Sequence, residues 1–170
     1  MKGERVTERE SLVRSVYRHP RLVASLKFLS DFSVFYSAVL FLFLAHKTFT
    51  VGIVCGVVAV SLCGVAFALV SLVRALINAP RPYELYSFFD KPPKDKKGHS
   101  FPGRHAFSIF CIATASLPVM PILGSVALLL GVALSVSRVL LGIHFIRDVV
   151  AGGMIGVIAG VLAAFAAGLF

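Results

Sequence analysis

An all-α helical bundle embedded in a membrane is the fold class that this sequence predicts, and three observations predict it. Hydrophobic residues make up 58% of the chain and charged residues only 15%, with a mean hydropathy of +0.89; a soluble domain carries about 25% charged residues. The apolar residues fall in runs long enough to cross a bilayer core, which takes roughly 20 residues per helix. The net charge of +9 comes from basic residues gathered at the ends of those runs, the pattern of cytoplasmic membrane loops. That placement argues against a nucleic-acid surface, so no nucleic-acid partner is expected.

Taken in order, residues 1–27 are polar and basic. Thr7 to Glu10 reads as a capping box, Leu12, Val13, Val16 and Tyr17 share a helical face, and Pro20 reads as a stop. The expectation is a short amphipathic helix lying on the membrane surface, with a loosely ordered tail as the competing reading. Residues 28–170 form the membrane-embedded part. Phe28–Ala45 supplies one span, interrupted by Asp31, and Val51–Val73 a second. The uncharged stretch from Ala106 to Ser137 would reach about 48 Å as one helix, too long for a single crossing. Pro118 and Pro121 divide it into two short antiparallel helices. Val149–Phe170 is the last span, which makes about five crossings. The first apolar run starts too late and runs too long for a cleavable signal peptide.

Gly152, Gly156 and Gly160 form a small-xxx-small pattern, and Gly52 and Gly56 repeat it. Such faces pack helices closely, either within one chain or between copies, so a homo-oligomer stays open. Cys55, Cys63 and Cys111 are odd in number and lie inside apolar segments, which fits small core residues rather than a disulfide framework.

Three polar clusters interrupt this apolar chain. The first runs from Arg74 to Arg81-Pro82, the second is Ser100-Phe101-Pro102-Gly103-Arg104-His105, and the third joins Ser137-Arg138 to His144 and Asp148. Ionisable groups at membrane depth are costly and tend to be functional or paired. Arg74 and Arg81 stand two helical turns apart, on one face until Pro80 and Pro82 break the helix. His144 and Asp148 are spaced i, i+4, which sets the carboxylate beside the imidazole if the segment is helical. A carboxylate there fixes the ring tautomer and leaves the other nitrogen to attack. Three guanidinium forks (Arg74, Arg81, Arg138) aimed at one point match the oxygens of a tetrahedral oxyanion. His105 is placed to protonate a leaving oxygen. Each signal has a plainer reading by itself: Arg74 as a snorkelling interfacial arginine, the His/Asp pair as a helix-surface pair, Arg147 and the lysines at 91, 94, 96 and 97 as topology-setting charges, and His99 as a solvated loop residue. The joint pattern is what carries the argument.

These clusters resemble the motifs of the type 2 phosphatidic acid phosphatases, the lipid phosphate phosphatase branch of a superfamily shared with vanadium haloperoxidases. The family signature runs Lys-x6-Arg-Pro, Pro-Ser-Gly-His and Ser-Arg-x5-His-x3-Asp. The third motif matches fully. Arg74 stands where the family usually has lysine, Gly103 replaces the serine of the second motif and Arg104 its glycine. The resemblance implies a membrane phosphatase acting on a lipid phosphate, either a phosphomonoester or a diphosphate, through a phosphohistidine at His144 oriented by Asp148. It implies that Arg74, Arg81 and Arg138 bind the phosphoryl oxygens with help from Ser137 and the Gly103 amide, and that His105 is the acid and then the base. Arg104 is a further candidate contact. No metal or other cofactor is implied. A phosphatase of a small soluble phosphate ester and a non-catalytic lipid-phosphate binder or transporter on the same scaffold remain the alternatives.

A single site requires the three motifs on one membrane face, and the proline-marked hairpin supplies the two crossings that bring them there. Parity then sets the site on the side of the N-terminus, with the basic residues at 2, 5, 9, 14, 18, 21 and 27, and Lys47 opposite. The expected localisation is a multi-pass protein of the cell membrane with its site at the cytoplasmic face.

Overall fold

The computed structural model describes residues 2–86 and 97–170, the first helical turns (2–7) by backbone alone. Seven helices are described: α1 (Lys2–Tyr17), α2 (Pro20–Val51), α3 (Ile53–Ile77), α4 (Pro82–Leu85), α5 (Arg104–Ser116), α6 (Pro121–Leu140) and α7 (Ile146–Ala166). Four stretches are long and apolar enough to cross a membrane, and they begin at Pro20, Ile53, Pro121 and Ile146. The fifth expected crossing, α5, sits where the sequence places it. Its 13 residues reach only about 20 Å, less than a bilayer core. It is instead the packed centre of the bundle, with Phe107, Ile109, Cys111, Ala113 and Ala115 all buried.

Large apolar side chains cover the outside, among them Phe35, Leu42, Leu129, Ile158 and Phe165, as expected of surfaces that face lipid. Inside, Leu44 of α2, Cys63 and Val70 of α3, Phe107 and Cys111 of α5 and Ala163 of α7 form one cluster. The glycines of α7 explain how α5 comes so close. A Cβ at Gly156 would lie 2.5 Å from the Phe107 carbonyl oxygen, and one at Gly152 would collide with the Gly103 carbonyl. The small-xxx-small stripe of α7 is therefore an intrachain seam against α5. Gly56 does something else, receiving the Phe49 ring of its own hairpin.

Several boundaries differ from the sequence reading. Thr7–Glu10 lies within α1, which begins at Lys2, and not at its start. Pro20 ends one helix and opens the next, since its fixed φ and missing N–H suit a first helical position. The boundary drawn at residue 27 falls inside α2, which also continues through His46 and Lys47 to Val51 and turns at Gly52. Helix propagation is cooperative, so a few polar residues in an apolar helix do not stop it. On α1, Val13 and Val16 are buried while Leu12 is exposed, and the Tyr17 hydroxyl donates to the Leu141 carbonyl at 3.3 Å. That contact joins the start of the chain to the turn between α6 and α7.

Candidate active site

Antiparallel packing brings the ends of α3 and α6 and the starts of α5 and α7 to one end of the bundle. α3 stops at Ile77 with Asn78 left-handed (φ 43°), and the chain passes through an extended Arg81 into Pro82. The segment from Gly98 to Ser100 docks on this corner through its backbone. Ser100 N–H donates to Ala79 O (2.9 Å), His99 N–H to Asn78 Oδ1 (3.2 Å) and Gly98 N–H to Glu84 Oε1 (2.7 Å). Two of the expected arginines tie the same loop down: Arg81 Nε donates to Gly98 O at 2.9 Å and Arg74 to Pro102 O at 3.1 Å. Each is thereby oriented while other guanidinium donors remain for a ligand.

A cavity of about 530 Å3 opens at this corner, a size ordinary for a small-molecule site. It is lined by Arg74, Arg81, Arg104, His105, Arg138 and His144, with Lys97, His99, Ser71, Ala75 and Ile143 around them. Among the described residues, no carboxylate lines it. Arg138 is 4% exposed, and its Nε has no hydrogen-bond partner among the described residues. A buried guanidinium with an unfilled donor beside a cavity is suited to an anion that brings its own acceptors.

Behind His144 the arrangement departs from the expected direct pair. His144 precedes α7 and Asp148 stands in its first turn, so a turn and not a shared helix brings them together. Nδ1 and Oδ2 are 3.7 Å apart. Ser100 bridges them: its Oγ donates to Asp148 Oδ2 at 2.5 Å and lies 3.3 Å from His144 Nδ1. The hydroxyl has one proton, which the carboxylate takes, so Nδ1 serves as the donor to Oγ and Nε2 keeps its lone pair. Asp148 Oδ2 also accepts the Phe145 N–H at 3.0 Å. His144 is 3% exposed, and burial is the main cause that pushes its pKa below the ordinary histidine value, against the neighbouring Asp148 carboxylate, which raises it. Ser100 was present in the second cluster without a role. Nothing in its spacing links it to a residue 48 positions on.

Two expected helpers are engaged elsewhere. Ser137 is fully buried, donates to Ala133 O at 2.8 Å and does not line the cavity, because a helical serine readily bonds the carbonyl one turn back. The Gly103 N–H donates to Asp148 O at 2.8 Å, fastening α5 to α7, and is not available to a phosphate. A Cβ at Gly103 would come within 2.9 Å of that same oxygen, so the serine usual at this place in the related motif would crowd the seam. Among the described residues, no group of three or more His, Cys, Asp or Glu side chains is placed to hold a metal ion.

A model of the PAP2 superfamily matches residues 52–167, from the turn before α3 to the end of α7. The chain belongs to the PAP2 superfamily. Membership places this PAP2 protein among the phosphatase hydrolases, in a membrane-embedded form. Its fold is shared with a crystal structure of the first transmembrane PAP2 type phosphatidylglycerolphosphate phosphatase from Bacillus subtilis, at a TM-score of 0.70 and 20% identity over 92% of this chain and 83% of that one. It is likewise shared with the crystal structure of Aquifex aeolicus LpxE, at a TM-score of 0.68 and 23% identity over 90% and 92%. At these identities the likeness is one of fold. No curated protein sequence matches the chain.

Proposed function

We propose that this PAP2 protein hydrolyses a lipid phosphate, either a phosphomonoester or a diphosphate, through a phosphohistidine at His144. Phosphatidic acid, phosphatidylglycerophosphate and undecaprenyl diphosphate are the substrate types considered. The observation that carries this reading is the convergence of Arg74, Arg81, Arg138, His105 and His144 on one cavity at the end of lipid-facing helices. The phosphate oxygens lie among the three guanidinium groups, which hold them through paired donors and offset the charge of the transition state without need of a metal ion. His144 Nε2 attacks phosphorus, the P–N bond forms, and the bond to the leaving oxygen breaks with its electron pair on that oxygen. His105 supplies the proton to a leaving alcohol. Water then attacks the phosphohistidine, its proton passes to His105, and inorganic phosphate departs as Nε2 recovers its lone pair. Asp148, through Ser100, holds Nδ1–H and stabilises the charge that builds on the ring.

The cytoplasmic face is proposed for the site on two supports. α1 and the start of α2, which carry the basic residues from Lys2 to Lys27, lie at the site end through the Tyr17–Leu141 contact, and Lys47 lies near the far end of α2.

Phosphate release from a panel of lipid phosphates in detergent with EDTA present, for wild type and His144→Ala, tests the reading. Release that survives chelation and is lost in the variant is the expected result. No release from any lipid by folded wild type would move the protein to a soluble ester or to a binding role.

A further inference from the structure

The cavity holds more positive charge than one phosphate requires. Among the described residues five cationic side chains line it, three in the cradle proposed above and two more, Arg104 and Lys97, and no described carboxylate does. Of the described acids at this corner, Glu84 accepts backbone N–H groups from Arg81 and Gly98, and Asp148 is held behind His144 by Ser100. Lys97 is exposed at the mouth. Arg104 is half-buried at the first position of α5, next to His105, with its guanidinium carbon 5.5 Å from the centre of the Phe67 ring. A cation held over an aromatic face is both positioned and partly desolvated, which strengthens its pull on an anion.

Phe67 marks a boundary. It stands one turn before Ser71 and two before Arg74 on α3, both of which line the phosphate cavity. Phe67 itself lines a second cavity of about 270 Å3 with Gly64, Ser108 and Cys111, in the cleft between α3 and α5. Along α3 the groups therefore follow a sequence: Arg74 and Ser71 of the phosphate cavity, then Phe67 with the Arg104 guanidinium over its ring, then an apolar groove toward the bilayer. A lipid whose cleaved phosphate rests on His144 and whose chain follows the groove carries its leaving group past Arg104.

We propose that Arg104 binds a second phosphate, one that belongs to the leaving group, and so selects substrates whose cleaved phosphate has another phosphate beside or near it. The inference rests on the phosphatase reading above and names its substrate class. Two sources share this chemistry: a lipid diphosphate, and a phosphomonoester on a headgroup joined to the lipid by a phosphodiester. With a diphosphate, Nε2 of His144 bonds to the terminal phosphorus and the bond from that phosphorus to the bridging oxygen breaks. The electron pair stays on that oxygen, now part of a lipid monophosphate dianion. Arg104 offsets the added charge where, with an alcohol, a proton from His105 would do so.

The test compares kcat/KM for three substrates: an alkyl monophosphate, a lipid diphosphate and phosphatidylglycerophosphate. Wild type, Arg104→Gln and Arg104→Lys are assayed in the same detergent. The expected result is that wild type favours one or both two-phosphate substrates, and that Arg104→Gln lowers that preference about 10- to 100-fold, the worth of one charge-assisted contact. Arg104→Lys, which keeps the charge, should retain part of it. Whichever two-phosphate substrate loses more identifies the source. A preference ratio that does not move in Arg104→Gln, or a wild type that favours the monophosphate, overturns the proposal while leaving the phosphatase reading intact. A wild type that cleaves none of the three overturns both.

Discussion

Ser100→Ala removes one oxygen, and the structure sets out what depends on it. The hydroxyl is fully buried, donates to Asp148 Oδ2 at 2.5 Å and stands 3.3 Å from His144 Nδ1. Without it the carboxylate keeps the Phe145 N–H at 3.0 Å but faces the imidazole across 3.7 Å, beyond hydrogen-bond reach. The ring loses the acceptor that fixes Nδ1–H and leaves Nε2 its lone pair. A hydrogen bond to a charged group is worth about 1.5–3 kcal/mol. If that is lost chiefly in the transition state, where the ring gains charge, kcat falls roughly 10- to 150-fold at 1.36 kcal/mol per decade. KM should change little, because Ser100 does not line the phosphate cavity. Steady-state phosphate release from a short-chain phosphatidate in micelles reads both constants. A folded Ser100→Ala protein whose kcat stays within about twofold of wild type would refute this relay, since the bridging contact would then contribute less than a neutral hydrogen bond.

Other outcomes follow from the same geometry. Burial depresses the His144 pKa, so the neutral nucleophile persists to lower pH: the acid limb of kcat/KM should fall below the ordinary histidine value of about 6.5, and a limb above it would contradict the assignment. Arg138→Ala removes a buried donor whose Nε has no partner among the described residues and should cost about 10²–10³ in kcat, the worth of one transition-state donor. Gly156→Ala drives a methyl group against the Phe107 carbonyl and should cost about 1–3 kcal/mol, read as a lower Tm in detergent. A single cysteine introduced at Lys97, in a background without Cys55, Cys63 and Cys111, should react with a membrane-impermeant maleimide in inside-out vesicles and not in intact cells; the reverse would put the site on the outer face.

The membrane class and the places of the long helices were legible because lipid-facing helices must be apolar over a bilayer's thickness, which no soluble fold demands. The convergence of Arg74, Arg81, Arg138, His105 and His144 was legible too, because span parity alone brings those ends together. What could not be read was which polar group each backbone carbonyl would claim. Ser137 looks in sequence like a phosphate ligand beside Arg138, yet the Ala133 carbonyl one turn back takes its proton. The Gly103 amide is claimed by Asp148 O, across a seam that exists only because α7 offers glycines to α5. Ser100 is the converse, a residue with no local signal that tertiary packing sets between His144 and Asp148. The limits read at Phe28 and Ala45 missed for a different reason: α2 runs from Pro20 to Val51, past Lys27, Asp31, His46 and Lys47, because helices in a bundle run on past polar residues when their ends are not capped locally.

The central claim is a covalent phosphohistidine at His144, and trapping it tests that claim most directly. Wild type, His105→Ala and His144→Ala would be mixed with radiolabelled lipid phosphate, quenched within the first turnover and digested for peptide mapping. The expected result is an acid-labile, base-stable label on the peptide that contains His144. It should be transient in wild type, longer-lived in His105→Ala for lack of a base for water, and absent in His144→Ala. Turnover by wild type with the label on a different residue, or turnover by His144→Ala at the wild-type rate, would contradict the account.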